Sequence, residues 1–390
     1  IVMTCKLQPK EDVRNSRLLR IVALVLRVAV GCVFIFSGVV KGLDPYGTVI
    51  KIGEYLHAMG IEWLGPLAGV ACVALVSLEV ALGVALVVGA WPRVVAPVVL
   101  AFNVFYTALT LWLAVANPIG DCGCFGDVVV LTNWQTFWKN VVLILLAILL
   151  MALRKHTRQL WSNWMELVLV VLTIVVAVAF MTWTKLHLPI KDFRPYKIGN
   201  HLPTLMEYPE DAEPDQYDIS FVYAKDGVEQ TFTLENYPKG DSTWTFVRQE
   251  SRLIKKGYEP PIHDLEILNA DYEDLTWDIL ESEAPVTLVV MYDLAKADKS
   301  QIAKVEALAS NLSPFASSPD SLIASSPNFY ILTGSGTNDI INFCLEYPAL
   351  SDYICTCDPV TLKTIVRANP GVIVVQNGIV IDKYNLRDRD

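Results

Sequence analysis

The chain has 390 residues, 53% apolar and only 18% charged, with a mean hydropathy of +0.40; a soluble enzyme of this length carries more charge. Residues 1–189 hold 14 Lys and Arg against 9 Asp and Glu, whereas residues 190–390 hold 17 against 32. That split implies an apolar, basic-flanked membrane half joined to an acidic soluble half, and it argues against nucleic acid as a partner, because phosphate contacts need a basic surface.

A helical span needs roughly 20 apolar residues. Leu18–Val40, Leu64–Ala90, Val94–Ala116 and Trp164–Thr184 meet this directly. A fifth run at 141–153 reaches span length once the preceding "NWQTFWK" is added, with Trp134 and Trp138 suited to an interface. The first run continues through "CVFIFSGVV", which makes it a span rather than a cleaved leader. Lys6, Lys10, Arg14, Arg17 and Arg20 lie before or at the start of the first span, Arg93 separates the second from the third, and Arg154, Lys155 and Arg158 separate the fourth from the fifth. The positive-inside rule therefore places the N-terminus in the cytoplasm, and loops 41–63 and 117–134 and everything after residue 185 outside. Between the first two spans, Val49, Ile52, Leu56 and Met59 recur at helical spacing, as expected of an amphipathic helix lying on the outer interface.

Ionisable residues inside spans are functional candidates by default. Glu79 lies mid-span, Arg27 about two turns into the first span, and Lys41 and Lys139 at the outer ends of the first and fourth. A Glu79–Arg27 pair inside the bundle is one expectation; snorkelling of Arg27 to the cytoplasmic interface is the other. Asn103 and Tyr106 are placed to hydrogen-bond between helices.

The loop "IGDCGCFGD" (119–127) carries Cys122 and Cys124 one residue apart among glycines that permit unusual dihedrals. On the oxidising face of a membrane such thiols form disulfides, and a bond closing so small a ring favours redox chemistry over a staple. The alternatives are a tight loop whose thiols bind metal or pair elsewhere, although two cysteines are too few for a closed zinc site. No Walker loop, dinucleotide fingerprint, H-E-x-x-H or G-x-S-x-G is present, and the five histidines are scattered.

The elements "VFIFSGVVKGLDPYGTVIKIGEYLHAMGI" (33–61), "SLEVALGVALVVGAWPR" (77–93) and "NPIGDCGCFGDVVVLTNWQTFWKN" (117–140) occur in an order that resembles the DoxX/MauE superfamily of integral membrane proteins, over residues 18–153. The resemblance implies a four-helix membrane bundle. It also implies thiol, sulfur or quinone-linked redox work, or maturation of disulfide-bearing partners in the periplasm, with a membrane quinone as the cofactor it suggests.

Residues 154–186 supply a cytoplasmic loop and the fifth, tethering span. Residues 187–257 are expected to be a Pro-rich linker and a β-rich segment, with a hairpin turning at "KDG" (225–227). Residues 258–390 follow a strand–helix–strand–helix–helix–hairpin order, ending in a turn at Asn377–Gly378. This resembles a thioredoxin-like domain, which makes Pro370 the candidate cis-proline. "YDLAKADKS" (292–300) has no cysteine where such a domain carries C-x-x-C, so the usual chemistry is absent there. Cys344, Cys355 and Cys357 remain. They offer a structural disulfide or a second redox pair, with the helix after Cys357 favouring its thiolate. The fold expected is thus an all-α membrane bundle followed by a soluble α/β domain with a β-rich insertion. Two functions compete: an inner-membrane thiol–disulfide protein acting through Cys122 and Cys124, and a non-catalytic envelope scaffold whose cysteine-free outer face binds a protein partner.

Overall fold

The computed structural model describes residues 10–157, 159, 161–214, 216–225, 227–234, 236–241, 243–255, 257–312 and 328–389. Lys6 and Arg158, which enter the orientation argument, lie outside them.

Among the described residues, five helices are long and apolar enough to cross a membrane, at Arg17–Leu43, Glu62–Val88, Pro92–Ala116, Asn133–His156 and Asn163–Leu186. Each covers an expected run within a few residues. The helices are α1 (Lys10–Leu43), α3 (Ala68–Val88), α4 (Pro92–Ala116), α5 (Asn133–Leu153) and α6 (Asn163–Leu186), and the amphipathic segment forms α2 (Pro45–Ala58) between the first two.

Small residues set how closely α1 and α3 cross. A Cβ on Gly83 would stand 2.7 Å from the Gly31 carbonyl oxygen, so both backbones use the missing side chain. The polar ends are closed by side chains. Asp44 caps α2 by accepting from Gly47 N–H (3.1 Å), and Thr132 and Gln135 form a reciprocal capping box at the start of α5.

The C-terminal region holds a five-stranded mixed sheet ordered β6–β5–β4–β7–β8, comprising β4 (Val286–Val290), β5 (Phe329–Thr333), β6 (Ile354–Thr356), β7 (Gly371–Gln376) and β8 (Ile379–Asn385). The strands β4, β5 and β6 run parallel, β7 is antiparallel to β4, and β8 is antiparallel to β7. Val286–Val290 and Phe329–Thr333 are buried throughout, as expected of strands covered on both faces. Helices α9 (Ile302–Leu312), α10 (Thr337–Glu346) and α11 (Pro359–Ile365) and the short α8 (Thr276–Leu280) complete the layers. Asp358 caps α11 through Val360 and Thr361 N–H, with Pro359 at its first position. The terminal hairpin turns through Asn377 and Gly378, both at positive φ.

Three features differ from expectation. The edge strand β6, which contains Cys355, is too short to announce itself by alternation. Part of the expected linker belongs to the core: Tyr196 and Leu202 pack with Ile262, Leu288 and Ile373, after the short α7 (Leu202–Met206) is set against the last hairpin by Leu202 N–H to Gly378 C=O (2.7 Å). The β-rich segment is a three-stranded antiparallel sheet, β2–β1–β3, of β1 (Gln216–Lys225), β2 (Val228–Thr233) and β3 (Thr245–Lys255). Its first hairpin pairs Lys225 with Val228 at the expected turn.

Candidate functional site

The 117–132 loop leaves α4 through Asn117 at positive φ. Asn133 pins it at the other end, donating to Asn117 Oδ1 (2.9 Å) and to Ile119 C=O (2.7 Å). Gly123 has φ +61°, and a Cβ there would meet Lys51 Cγ at 2.7 Å; the conformation and the close approach both require glycine. Asp121 closes the turn by accepting from Gly123 N–H (2.8 Å). The result brings Cys122 and Cys124 together with Cα atoms 5.4 Å apart and sulfurs at bonding distance.

Both cysteine carbonyls are held from the bundle. Tyr55 on α2 donates to Cys122 C=O (2.9 Å). Ser37 on α1 donates to Cys124 C=O (3.1 Å), and itself accepts from Lys41 Nζ (2.7 Å). Burial, helped by the Asp121 and Glu54 carboxylates, pushes the Tyr55 phenol up, so it remains a donor. Lys51 braces the loop through Asp121 (3.2 Å) and pairs with Glu54 (2.8 Å). Burial opposes its charge, but these two carboxylates outweigh burial and raise its pKa. Cys122 is buried, with Thr136 Oγ1 3.6 Å from its sulfur; Cys124 is half-buried.

Beneath the loop, Glu79 takes Lys41 Nζ on both oxygens (2.8 Å each) and accepts from Tyr106 Oη (2.7 Å). Lys41 and Glu79 are 6% and 2% exposed. Asn140 on α5 donates to Thr110 Oγ1 (3.1 Å) on α4. A cavity of about 40 Å³ joins Lys41, Glu79, Tyr106, Lys139 and Asn140 to Cys124. A second cavity, about 220 Å³ and mainly apolar, is lined by Ile52, Leu56, Leu75, Phe105, Leu109 and both cysteines, and shares Lys41 and Tyr106 with the first.

The expected Glu79–Arg27 pair does not form. Arg27 and Lys41 are fourteen positions apart on α1, about 21 Å along its axis, and only Lys41 is level with Glu79. Arg27 lies at the other end of the bundle, its guanidinium against Gly89, with Nε buried and unpartnered. Glu166, which nothing in the sequence singles out, is fully buried at that end and accepts from Trp91 N–H (3.2 Å) and Gln159 Nε2 (2.9 Å).

Cys344, Cys355 and Cys357 are free thiols. Cys355 and Cys357 pack in one core cluster and Cys344 against another, so no disulfide joins them. The expected thiolate at Cys357 meets the opposite effect: burial pushes both the Cys355 and the Cys357 thiol up to about 12, and the backbone donors at Cys357 do not offset it. At pH 8 such thiols are ionised about a thousandfold less than ordinary ones. Iodoacetamide at pH 8 should therefore leave Cys355 and Cys357 unlabelled in the folded chain and label them on unfolding. Labelling of either at the rate of Cys344 in the folded chain contradicts this burial.

The C-terminal region rests on the bundle. Arg367 grips Asp44 at the start of α2 through Nε and Nη2 (2.9–3.2 Å), Tyr292 Oη lies 3.5 Å from Tyr46 Oη, and Asn385 donates to Leu186 C=O (2.9 Å). Asn369–Pro370 is cis, and buried Pro370 borders a cavity of about 430 Å³ with Tyr46, Lys185 and Tyr292. The same Asp44 that Arg367 holds caps the helix whose Lys51 and Tyr55 brace the cysteine loop.

With this geometry in place, residues 19–153 match the family described as methylamine utilisation protein MauE. The match spans four of the five candidate membrane helices, α1, α3, α4 and α5. Residues 217–256, the three-stranded sheet, match a domain of unknown function, DUF8463. No curated protein and no solved structure matches the chain.

Proposed function

We propose that this MauE-type membrane protein is a thiol–disulfide redox protein whose working pair is Cys122 and Cys124. The observation that carries this reading is the loop itself. Two sulfurs stand at bonding distance, both flanking carbonyls are fixed by side chains of the bundle, and a buried charged cluster sits directly below. A loop that served only as a connection needs none of this. The basic residues Arg93, Arg154 and Lys155 on the face opposite the C-terminal region support a cytoplasmic N-terminus and a periplasmic loop in an inner membrane.

The reaction balances as follows. A partner thiolate attacks one loop sulfur, the loop S–S bond breaks, and the other loop cysteine departs as a thiolate and takes up a proton. The partner's second thiolate then attacks the mixed disulfide and releases the first loop cysteine. The partner loses two electrons and the loop gains two. The apolar cavity at both cysteines suits the ring and tail of a membrane quinone, with Tyr55, Lys51 and Thr110 as its polar rim. Bound there, a quinone supplies a two-electron, two-proton acceptor.

The C-terminal sheet order and the buried parallel strands support a thioredoxin-like reading of that domain. Its cysteine-free Tyr292–Leu294 segment and cis-proline edge face the chain's own α2 and α6. This favours a role in holding the bundle over a scaffold that offers the same face to another protein.

Trapping tests the proposal. Cys→Ser at one of the two loop positions should accumulate a mixed disulfide with an envelope protein, the double variant none. Identical adduct patterns in wild type and both single variants would sink it.

A further inference from the structure

The cluster under the loop does not balance its charge. Two ammonium groups, Lys41 and Lys139, border the cavity that reaches Cys124, against one carboxylate, Glu79. Glu79 is committed to Lys41 through both oxygens. Lys139 has no carboxylate within ion-pairing distance among the described residues. Its side chain is half-buried, and its ammonium sits 4.2 Å from the centroid of the Phe125 ring, the residue following Cys124. The other groups facing the loop leave this excess untouched. Tyr106 donates to Glu79, Lys51 is bound by Glu54 and Asp121, and Tyr55 is a neutral donor to Cys122 C=O. An unmatched cation at this depth is stabilised by an anion brought beside it, and the group in the cavity able to become one is the sulfur of Cys124.

We infer that Lys139 is the counter-ion of a Cys124 thiolate, which makes Cys124 the sulfur that carries the mixed disulfide and leaves last, and Cys122 the one that departs first. This rests on the redox reading above and assigns its two sulfurs. Exposure agrees: Cys124 is half-buried and open to attack, whereas Cys122 is 6% exposed and packed against Thr136. In the second step the partner's other thiolate attacks the partner sulfur bonded to Cys124, that S–S bond breaks, and the electron pair stays on Cys124 beside Lys139. A leaving thiol of lower pKa leaves faster, so the charge speeds release of the oxidised partner and favours the reduced loop.

The test is the pH dependence of alkylation of each loop cysteine, read by mass spectrometry on the reduced full-length protein in nanodiscs. In the wild type, Cys124 should react with a midpoint below the ordinary thiol value and Cys122 with a higher one. Lys139→Gln should raise the Cys124 midpoint by about 1–2 pH units and leave Cys122 in place, and Lys139→Arg should restore it. A Cys124 midpoint unmoved by Lys139→Gln overturns the assignment, as does a wild-type Cys122 midpoint below that of Cys124, which needs no variant to fold. The expected shift without any trapped adduct keeps the assignment and removes the redox reading; an adduct without the shift does the reverse.

Discussion

Lys41→Met is expected to cost the membrane half about 3–5 kcal/mol, the range for breaking a buried ion pair from one side. The variant leaves the Glu79 carboxylate at 2% exposure with Tyr106 as its remaining side-chain donor. It also removes the donor to Ser37, the residue whose hydroxyl holds Cys124 C=O. Thermal unfolding in nanodiscs should show a large drop in midpoint. Because the cost comes from a stranded charge and not from lost packing, Lys41→Met combined with Glu79→Leu should recover most of it. A single variant as stable as wild type, or a double variant worse than either single, contradicts the pairing.

The second large effect is expected at the joint between the halves. Arg367 is buried, and its guanidinium makes three contacts with Asp44 besides donating to Lys363 C=O (2.6 Å). Truncating one side of such a pair costs about 2–5 kcal/mol, much of it the penalty of the charge left behind. Arg367→Ala should therefore undock the C-terminal domain. Hydrogen exchange would rise not only between residues 187 and 200 but also along α2 and the cysteine loop, since Asp44 caps α2 and Lys51 and Tyr55 connect it to Asp121 and Cys122. Faster exchange confined to the 187–200 segment would show that docking and loop geometry are independent.

Much of this was legible in the sequence because the strongest signals are long and local. Runs of 20 apolar residues fix the spans, and Asn377–Gly378 fixes the last hairpin. Asp358–Pro359 fixes the start of α11, and the 49–59 spacing fixes α2. The partner of Glu79 was not legible. Choosing Lys41 over Arg27 requires knowing the relative depth of α1 and α3, which the intervening α2 hides. The Arg367–Asp44 joint spans 323 positions and has no local signature. The fate of Cys357 was misjudged because a helix start is visible in sequence and burial is not. The brace at Lys51 and Tyr55 had a trace, two polar residues four apart on an amphipathic helix, but only the loop's path shows what they hold.

The central claim is that Cys122 and Cys124 exchange electrons. The measurement that bears on it most directly is the redox state of these two residues in native membranes, trapped with acid and read by differential alkylation and mass spectrometry. A mixture of reduced and oxidised loop that shifts with mild oxidant or reductant is expected. A loop found wholly reduced, or locked as one disulfide that mild reductant leaves untouched, would contradict it.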